Sequence, residues 1–448
     1  RGMGPSESQG RYVSGSHGGV GGGNTPDSTY GDYQQPVEFG SGGVGNISTH
    51  TSLGGGVLKI EASTLNLSGK LSASSNIDSY ELPGGSGGSI WIDVSELNIN
   101  SDNARIQANG GSILTGYSSS LKGGGGGRVA VYFDTTNQAD LSQSISVFGG
   151  NGYTHNTVNG GAGTLYIEDK AQPGVGELII QNDINFNIDE QAVTPVAELT
   201  HTGLLTVANA SVIFNENLPN GLDITINDSA VEFSPNVVSN TSIIINNSTL
   251  EVGSNFTANN VLDLTDSSVI FGANFTANNI VNVANSLIDF GDGFIANDNI
   301  NISGSTITFG TDSHVFGLAS YSGVNAITYE DDVLFDLPID RSAEINEGST
   351  VSIGSNVSIY NTADLVVDRY LLTVSNSLSY DNIEVINGGH ITVAHDLSNP
   401  IALSITAINT LTIDEASSIE VDNRGMGPSE SQGRYVSGSH GGVGGGNT

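Results

Sequence analysis

The chain has 448 residues, with 61 Gly, no Cys and one Trp, and only 13% of its residues are charged. Its formal net charge of −35, from 47 acidic against 12 basic residues, excludes the basic footprint that nucleic acid needs and disfavours anionic membranes and polyanionic sugars. Without Cys, neither disulfides nor a thiolate zinc site can hold the fold, and no run of 18 apolar residues offers a membrane span.

Residues 1–176 are rich in Gly and repeat a pattern. Small residues lead into an alternating strand, and a second strand often ends in Gly-Gly, as in GGSIWIDVSELNINSDNARIQANGG. Lead strands are expected to start near Val57, Ile90, Val129 and Leu165, which spaces these wide turns at 33, 39 and 36 residues. Their extra length reads as Gly-rich excursions, Gly123–Arg128 and Ser16–Gly23 among them, with Tyr12, Tyr30, Tyr33 and Phe39 as anchors. Gly permits close packing and tight crossings that other residues do not.

Residues 177–310 carry the clearest periodicity. From about residue 196, six segments repeat every 19 residues and end at Asn215, Ser234, Gly253, Gly272, Gly291 and Gly310. Each reads as two short alternating strands around a polar corner. Aligned, they give apolar columns: Val207, Ile226, Ile245, Leu264, Val283 and Ile302, then Phe214, Phe233, Val252, Phe271, Phe290 and Phe309. A third column is Val212, Val231, Leu250, Val269, Ile288 and Ile307, and a fourth is Leu218, Val237, Phe256, Phe275 and Phe294. An antiparallel sandwich would explain the alternation but not the recurrence of like residues at a constant interval. A β-solenoid explains both, because each turn sets its residue above the last at ~4.8 Å. The corners Asn209, Asp228, Asn247, Asp266, Asn285 and Gly304 are residue types that tolerate left-handed backbone. The fold expected is therefore all-β, a right-handed parallel β-helix by the crossover rule.

Residues 311–423 keep the strand–corner–strand grammar with insertions. Residues 424–448 then repeat residues 1–25 without one substitution, at an offset of 423. The expected reading is a window on a tandem array, one unit running into the next without a hinge. Removing the copy's two Arg and one Glu from −35 leaves −36 per unit.

The strand pairs and GGGGGR-type segments resemble the Gly-rich repeats of very large secreted bacterial proteins of the filamentous-haemagglutinin and autotransporter adhesin type. That resemblance, at the level of pattern, implies an extracellular or cell-surface β-helix that forms fibres or attaches cells, and it brings no catalytic residues with it.

A search for chemistry finds little. Pectin-active β-helices carry paired Asp with a nearby cation, and the comparable groups here are Asp340–Arg341, Asp368–Arg369 and Glu330–Asp331–Asp332. None lies in a recognisable catalytic motif, so no catalytic, cofactor-binding or metal-ligating residue is assigned. His390 and His395 lack the Glu of a helical zinc motif, and His17 and His440 are one residue in successive copies. Gly149–Thr157 has the glycine spacing of a calcium-binding nonapeptide but Thr154 where a ligand Asp belongs, and Phe290–Phe294 offers a lone carboxylate. Calcium is expected only as weak, diffuse binding. Sequons such as Asn255 and Asn274 do not establish glycosylation. The function expected is a structural repeat of a self-associating extracellular filament. An adhesin stalk recognising glycans or surfaces is the alternative, and a polysaccharide-active enzyme a more distant one.

Overall fold

The structure is a computed structural model that describes residues 13–45, 52–75, 82–113, 121–152, 158–336, 349–354, 357, 364–374, 377–394 and 402–422. It is built almost wholly of stacked parallel strands, as a β-solenoid requires. Two compact units emerge, Arg1–Gly272 with Ala277–Asn279, and Ala273–Thr276 with Ile280–Thr448.

The first unit begins with the wide turns. Their strands are β1 (Val57–Leu67), β2 (Lys70–Ser72), β3 (Ser89–Ile99), β4 (Arg105–Gln107), β5 (Arg128–Phe133), β6 (Thr135–Thr136), β7 (Ile145–Ser146) and β8 (Thr164–Asp169). The lead strands β1, β3, β5 and β8 pair in parallel, with Ile90 opposite Val129 and Val129 opposite Leu165 as expected from the sequence, whereas Ile90 meets Leu58, one residue beyond Val57. The return strands β2, β4 and β7 stack as a second sheet, with Leu71, Ile106 and Ile145 in line. Ile90, Ile92, Val94 and Leu97 from one sheet close on Ile106, Ala108, Ile145 and Val147 from the other. Alternation along β3 buries Ile90, Ile92 and Val94 because successive side chains point to opposite faces, and its phase shifts at the exposed pair Ser95–Glu96 before Leu97.

The chain then turns back. Strand β9 (Val175–Gln181) pairs with β8 antiparallel, across a turn in which Gly174 adopts φ +76°. Thr202–Ala208, Leu222–Asn227, Ile243–Asn246 and Leu262–Thr265 follow in parallel with β9. The core changes sides at the same place. Leu165 and Ile179 face each other in the wide-turn core, whereas Leu178 and Ile180 align with Leu205 and Val207 of the 19-residue turns. Adjacent residues of a strand lie on opposite faces, so the narrow core occupies the opposite face of this sheet. Strand direction and core face invert together, which amounts to a half-turn about the stacking axis and preserves the hand of winding.

The narrow turns match the expected columns, except that Leu218 lies opposite Ser239 and not in line with Val237. Val207, Ile226, Ile245 and Leu264 are in register and buried, as are Phe214, Phe233, Val252 and Phe271. Phe214 and Phe233 stack with centroids 4.7 Å apart. The corners Asn209, Asp228, Asn247 and Asp266 adopt φ of 46–50°, the left-handed region that short polar side chains tolerate. Just inside the last three of these corners lies a buried serine, Ser229, Ser248 and Ser267, while Ala210 holds that place after Asn209. The Ser229 amide donates to Ser248 Oγ and the Ser248 amide to Ser267 Oγ, both at 3.1 Å. Each hydroxyl in turn donates to the carbonyl two residues back, at 2.7 Å from Ser229 and 2.6 Å from Ser267. The ladder satisfies backbone groups that a tight corner would leave orphaned.

The second unit is three-sided. Val281–Ala284, Ile300–Ser303 and Ala319–Ser322 form one side, and Ile295–Ala296, His314–Val315 and Leu334–Phe335 a short second side. The third runs from Leu287–Asp289 through Thr306–Phe309, Ala326–Tyr329, Thr350–Ile353, Leu371–Val374 and His390–Val393 to Ser418–Ile419. Its core is an aromatic stack: Phe290 lies 4.3 Å from Phe294 and 5.3 Å from Phe309, and Phe309 lies 5.3 Å from Tyr329. A further sheet, Asp364–Asp368, Ser377–Ile386 and Ser404–Ile413, ends on a strand whose Ile408 is 69% exposed.

Candidate functional site

The glycine-rich segments do not loop out into solvent. Gly123 to Gly127 are buried, and each amide is bonded to another segment. Gly124 and Gly127 donate to Gly111 and Ala108, at 3.0 and 2.7 Å; Gly123 and Gly126 donate to Val158 and Gly161, at 3.2 and 3.0 Å; Gly125 donates to Gly15 at 2.9 Å. Partners therefore recur every third residue. A polyproline II-type helix has three residues per turn and no internal hydrogen bonds, so it presents three donor faces to three neighbours. Here polyglycine packs as a bundle of such helices, alongside the sheets that the same turns form.

Only glycine fits this packing. A Cβ on Gly124 would overlap the Gly85 carbonyl, one on Gly160 the Gly124 carbonyl, and one on Gly126 the Val147 carbonyl. The sequence pattern of small residues before each lead strand is the signal of this bundle. It reads as loop because period 3 has no apolar marker.

Val13–Gly23 packs against the bundle and is itself buried as far as Gly22. Gly15, Gly19 and Gly22 donate to Gly84, Gly126 and Gly123, at 2.8, 2.9 and 2.9 Å, and Gly161 donates to Val20 at 2.8 Å. Ser14 Oγ donates to the Lys122 carbonyl at 2.7 Å. The following residues cross the face of β5 and β8 that points away from the wide core. Tyr33 is buried there, edge-on to Tyr166 at 5.6 Å, and its hydroxyl lies 2.9 Å from His201 Nδ1. Of the other aromatic anchors, Tyr30 is partly buried, Phe39 is exposed, and Tyr12 lies outside the described residues.

Arg128 sits beneath this cover, only 8% exposed. Its Nε donates to the Tyr30 carbonyl at 2.9 Å and its Nη1 to Thr164 Oγ1 at 3.0 Å, which ties the cover to β8. Among the described residues no carboxylate forms an ion pair with it; burial lowers its pKa to about 10, offset in part by the fields of Asp32 and Glu38. It lines a cavity of about 400 Å³ with Tyr30, Asp32, Tyr33, Thr164 and Glu198. One cation at the wall with carboxylates, hydroxyls and aromatic rings suits a polar, hydroxylated ligand. Sequence reading missed Arg128; its signal was a rare cation placed directly after five glycines.

His17 is the other buried ionisable group. Its Nδ1 lies 3.0 Å from the Gly87 carbonyl, its ring 4.9 Å from Tyr30, and its Nε2 has no hydrogen-bond partner among the described residues. Burial, with the Arg128 charge adding to it, lowers its pKa from 6.5 to about 3. The unfolded imidazole takes up a proton near pH 6.5, whereas the folded one stays neutral until about pH 3. This contribution is complete above pH 6.5 and is lost as pH falls toward 3, on the order of a few kcal/mol in all. Urea titrations followed by fluorescence of Trp91, the one Trp, should show that loss in the native chain and a clearly flatter pH dependence in His17→Gln. Equal slopes would mean that His17 is not the group responsible.

The other sequence candidates are dispersed. Asp368 and Arg369 pair with each other at 3.0 Å, and Asn387 donates to Asp368 at 3.0 Å. Glu330 accepts from Thr311 at a turn edge, and Asp332 is a corner residue with φ +59°. Phe290 and Phe294 are core, with Gly291 and Gly293 in left-handed corners between them. His390 Nδ1 lies 2.7 Å from Ser418 Oγ. Asn255 donates to Asn236, one turn back, at 2.9 Å. Gly149–Gly152 belong to the bundle, while Thr154 lies outside the described residues, as do Asp340, Arg341, His395 and His440. Among the described residues no three His, Asp or Glu side chains gather as a metal site, and no helix is long and apolar enough to cross a membrane. Comparison of the chain with protein-family models, curated proteins and solved structures found no match.

Proposed function

We propose that this chain is a repeat of an extracellular or cell-surface fibre whose β-solenoid units join end to end. The observation that carries this reading is the pairing of identical 25-residue sequences 423 residues apart with stacks that end in open strands. Among the described residues, β1 pairs only with β3, and Ser404–Ile413 pairs only with Ser377–Ile386. A parallel strand with a free edge is a template for another strand. Solenoid stability is a sum of nearest-neighbour terms, so covering an end by a further unit stabilises both.

Electron microscopy of the purified chain tests this directly: filaments support it, and isolated short particles at all concentrations overturn it. A charge of −36 per unit adds a second expectation, that the fibres stay apart in chelator and bundle in millimolar calcium. The cavity beside Arg128 favours a second reading, attachment to glycans. Applied to a glycan array, the same preparation supports it by retaining hydroxylated ligands and counts against it by retaining none.

A further inference from the structure

We propose that the groove in the glycine bundle occupied by Val13–Gly23 is a docking site for the identical segment, Val436–Gly446, of a second copy of this chain. The inference rests on the end-to-end reading and supplies it with a specific contact.

The groove presents main-chain groups to its occupant. Its walls are the carbonyls of Gly84, Lys122, Gly123 and Gly126 and the amides of Gly125 and Gly161. These reach the occupant at Ser14, Gly15, Gly19, Val20 and Gly22. Shape supplies the selectivity. A Cβ on Gly15 would overlap the Ser41 carbonyl, on Gly18 the Gly127 carbonyl, on Gly19 the Gly161 carbonyl, and on Gly21 the Gly15 carbonyl. The occupant must therefore present Gly at these positions, with the His17 ring seated against Tyr30 between them.

Within this chain the run GSHGGVGGGNT occurs twice, at Gly15–Thr25 and at Gly438–Thr448. The second run has every glycine and the histidine that the groove selects. Both segments are chemically equivalent ligands for one site, so exchange between copies replaces each hydrogen bond by the same bond. What favours the first segment in an isolated chain is its higher effective concentration, which concentrated or adjoining copies offset.

The test uses the full chain. Gly19→Val disables the first segment and leaves the second intact. Sedimentation should then show head-to-tail oligomers at concentrations below those at which the native chain assembles. Gly19→Val with Gly442→Val disables both, and this double variant should be monomeric and bind a labelled peptide of sequence 424–448. The same peptide with Val in place of the Gly442 residue should bind at least about tenfold more weakly. A single variant that stays monomeric, or a double variant that does not take up the peptide, overturns the proposal. Trp91 fluorescence reports whether each variant folds. If they do not, the native chain held with excess labelled peptide in sub-denaturing urea should incorporate it, and failure to do so also overturns the proposal. A double variant that still forms filaments overturns segment exchange while leaving end-to-end assembly standing.

Discussion

Gly124→Ala should destabilise the first unit by about 3 kcal/mol or more, at or beyond the upper end of the usual cost of overpacking. A single methyl group produces this because nothing near it can yield. The new Cβ would overlap the Gly85 carbonyl, and its next neighbours are backbone atoms of Gly84 and Gly85, not the tip of a side chain. Gly85 in turn accepts from Gly111, and Gly124 itself donates to Gly111 and accepts from Gly150, so a local shift breaks bonds in several segments. Gly69 is the control. A Cβ there meets nothing within 4 Å and its backbone is not left-handed, so Gly69→Ala should be neutral or stabilise by about 0.4–1 kcal/mol through the unfolded chain. Urea titration read by Trp91, which lies on β3, measures both. Equal midpoints for the two variants would show that the bundle is loose enough to accept side chains.

Phe294→Ala should cost the second unit about 3–5 kcal/mol, the range for truncating a buried aromatic residue. Phe294 is fully buried, with rings 4.3 Å away at Phe290, 5.1 Å at Phe275 and 6.2 Å at Phe309. Its loss leaves a void flanked on both sides by the stack, which turns of fixed hydrogen-bond spacing cannot collapse to fill. Phe294→Leu, which keeps most of the volume, should retain much of the stability. Far-UV circular dichroism during denaturation distinguishes the two. A loss below about 1 kcal/mol for the Ala variant would mean that the turns do relax.

The narrow turns were readable residue by residue. Val207, Ile226, Ile245 and Leu264 announced their register because a solenoid repeats its environment at a fixed interval, and Asn209 and Asp228 announced corners because few residues accept left-handed backbone. The wide turns were readable only in their strands. Ile90, Val129 and Leu165 were aligned correctly, whereas the glycines between them read as excursions. Polyglycine helices hold together by main-chain bonds among segments distant in sequence, and glycine has no side chain to record its partners.

The candidate site shows the same division. The duplicated Gly15–Thr25 segment was plain from sequence, but not the groove that holds it, whose walls come from residues 84, 122–126 and 161. Arg128 stood in the sequence only as the last residue of a Gly-rich excursion, and burial under Tyr30 makes it a clamp and the wall of a cavity. The reversal at Gly174 left only a turn signal, since a strand of either direction alternates in the same way.

By itself, then, the sequence determined the class of fold, the 19-residue register, the corners and the exact recurrence of one segment. These are properties of a chain stacked on itself at short, regular separations. Tertiary structure alone decided where the glycine segments go, which face of the sheet each core occupies and what the recurring segment binds. Those depend on contacts between remote stretches of backbone, and backbone is the one part of a protein that its sequence does not distinguish.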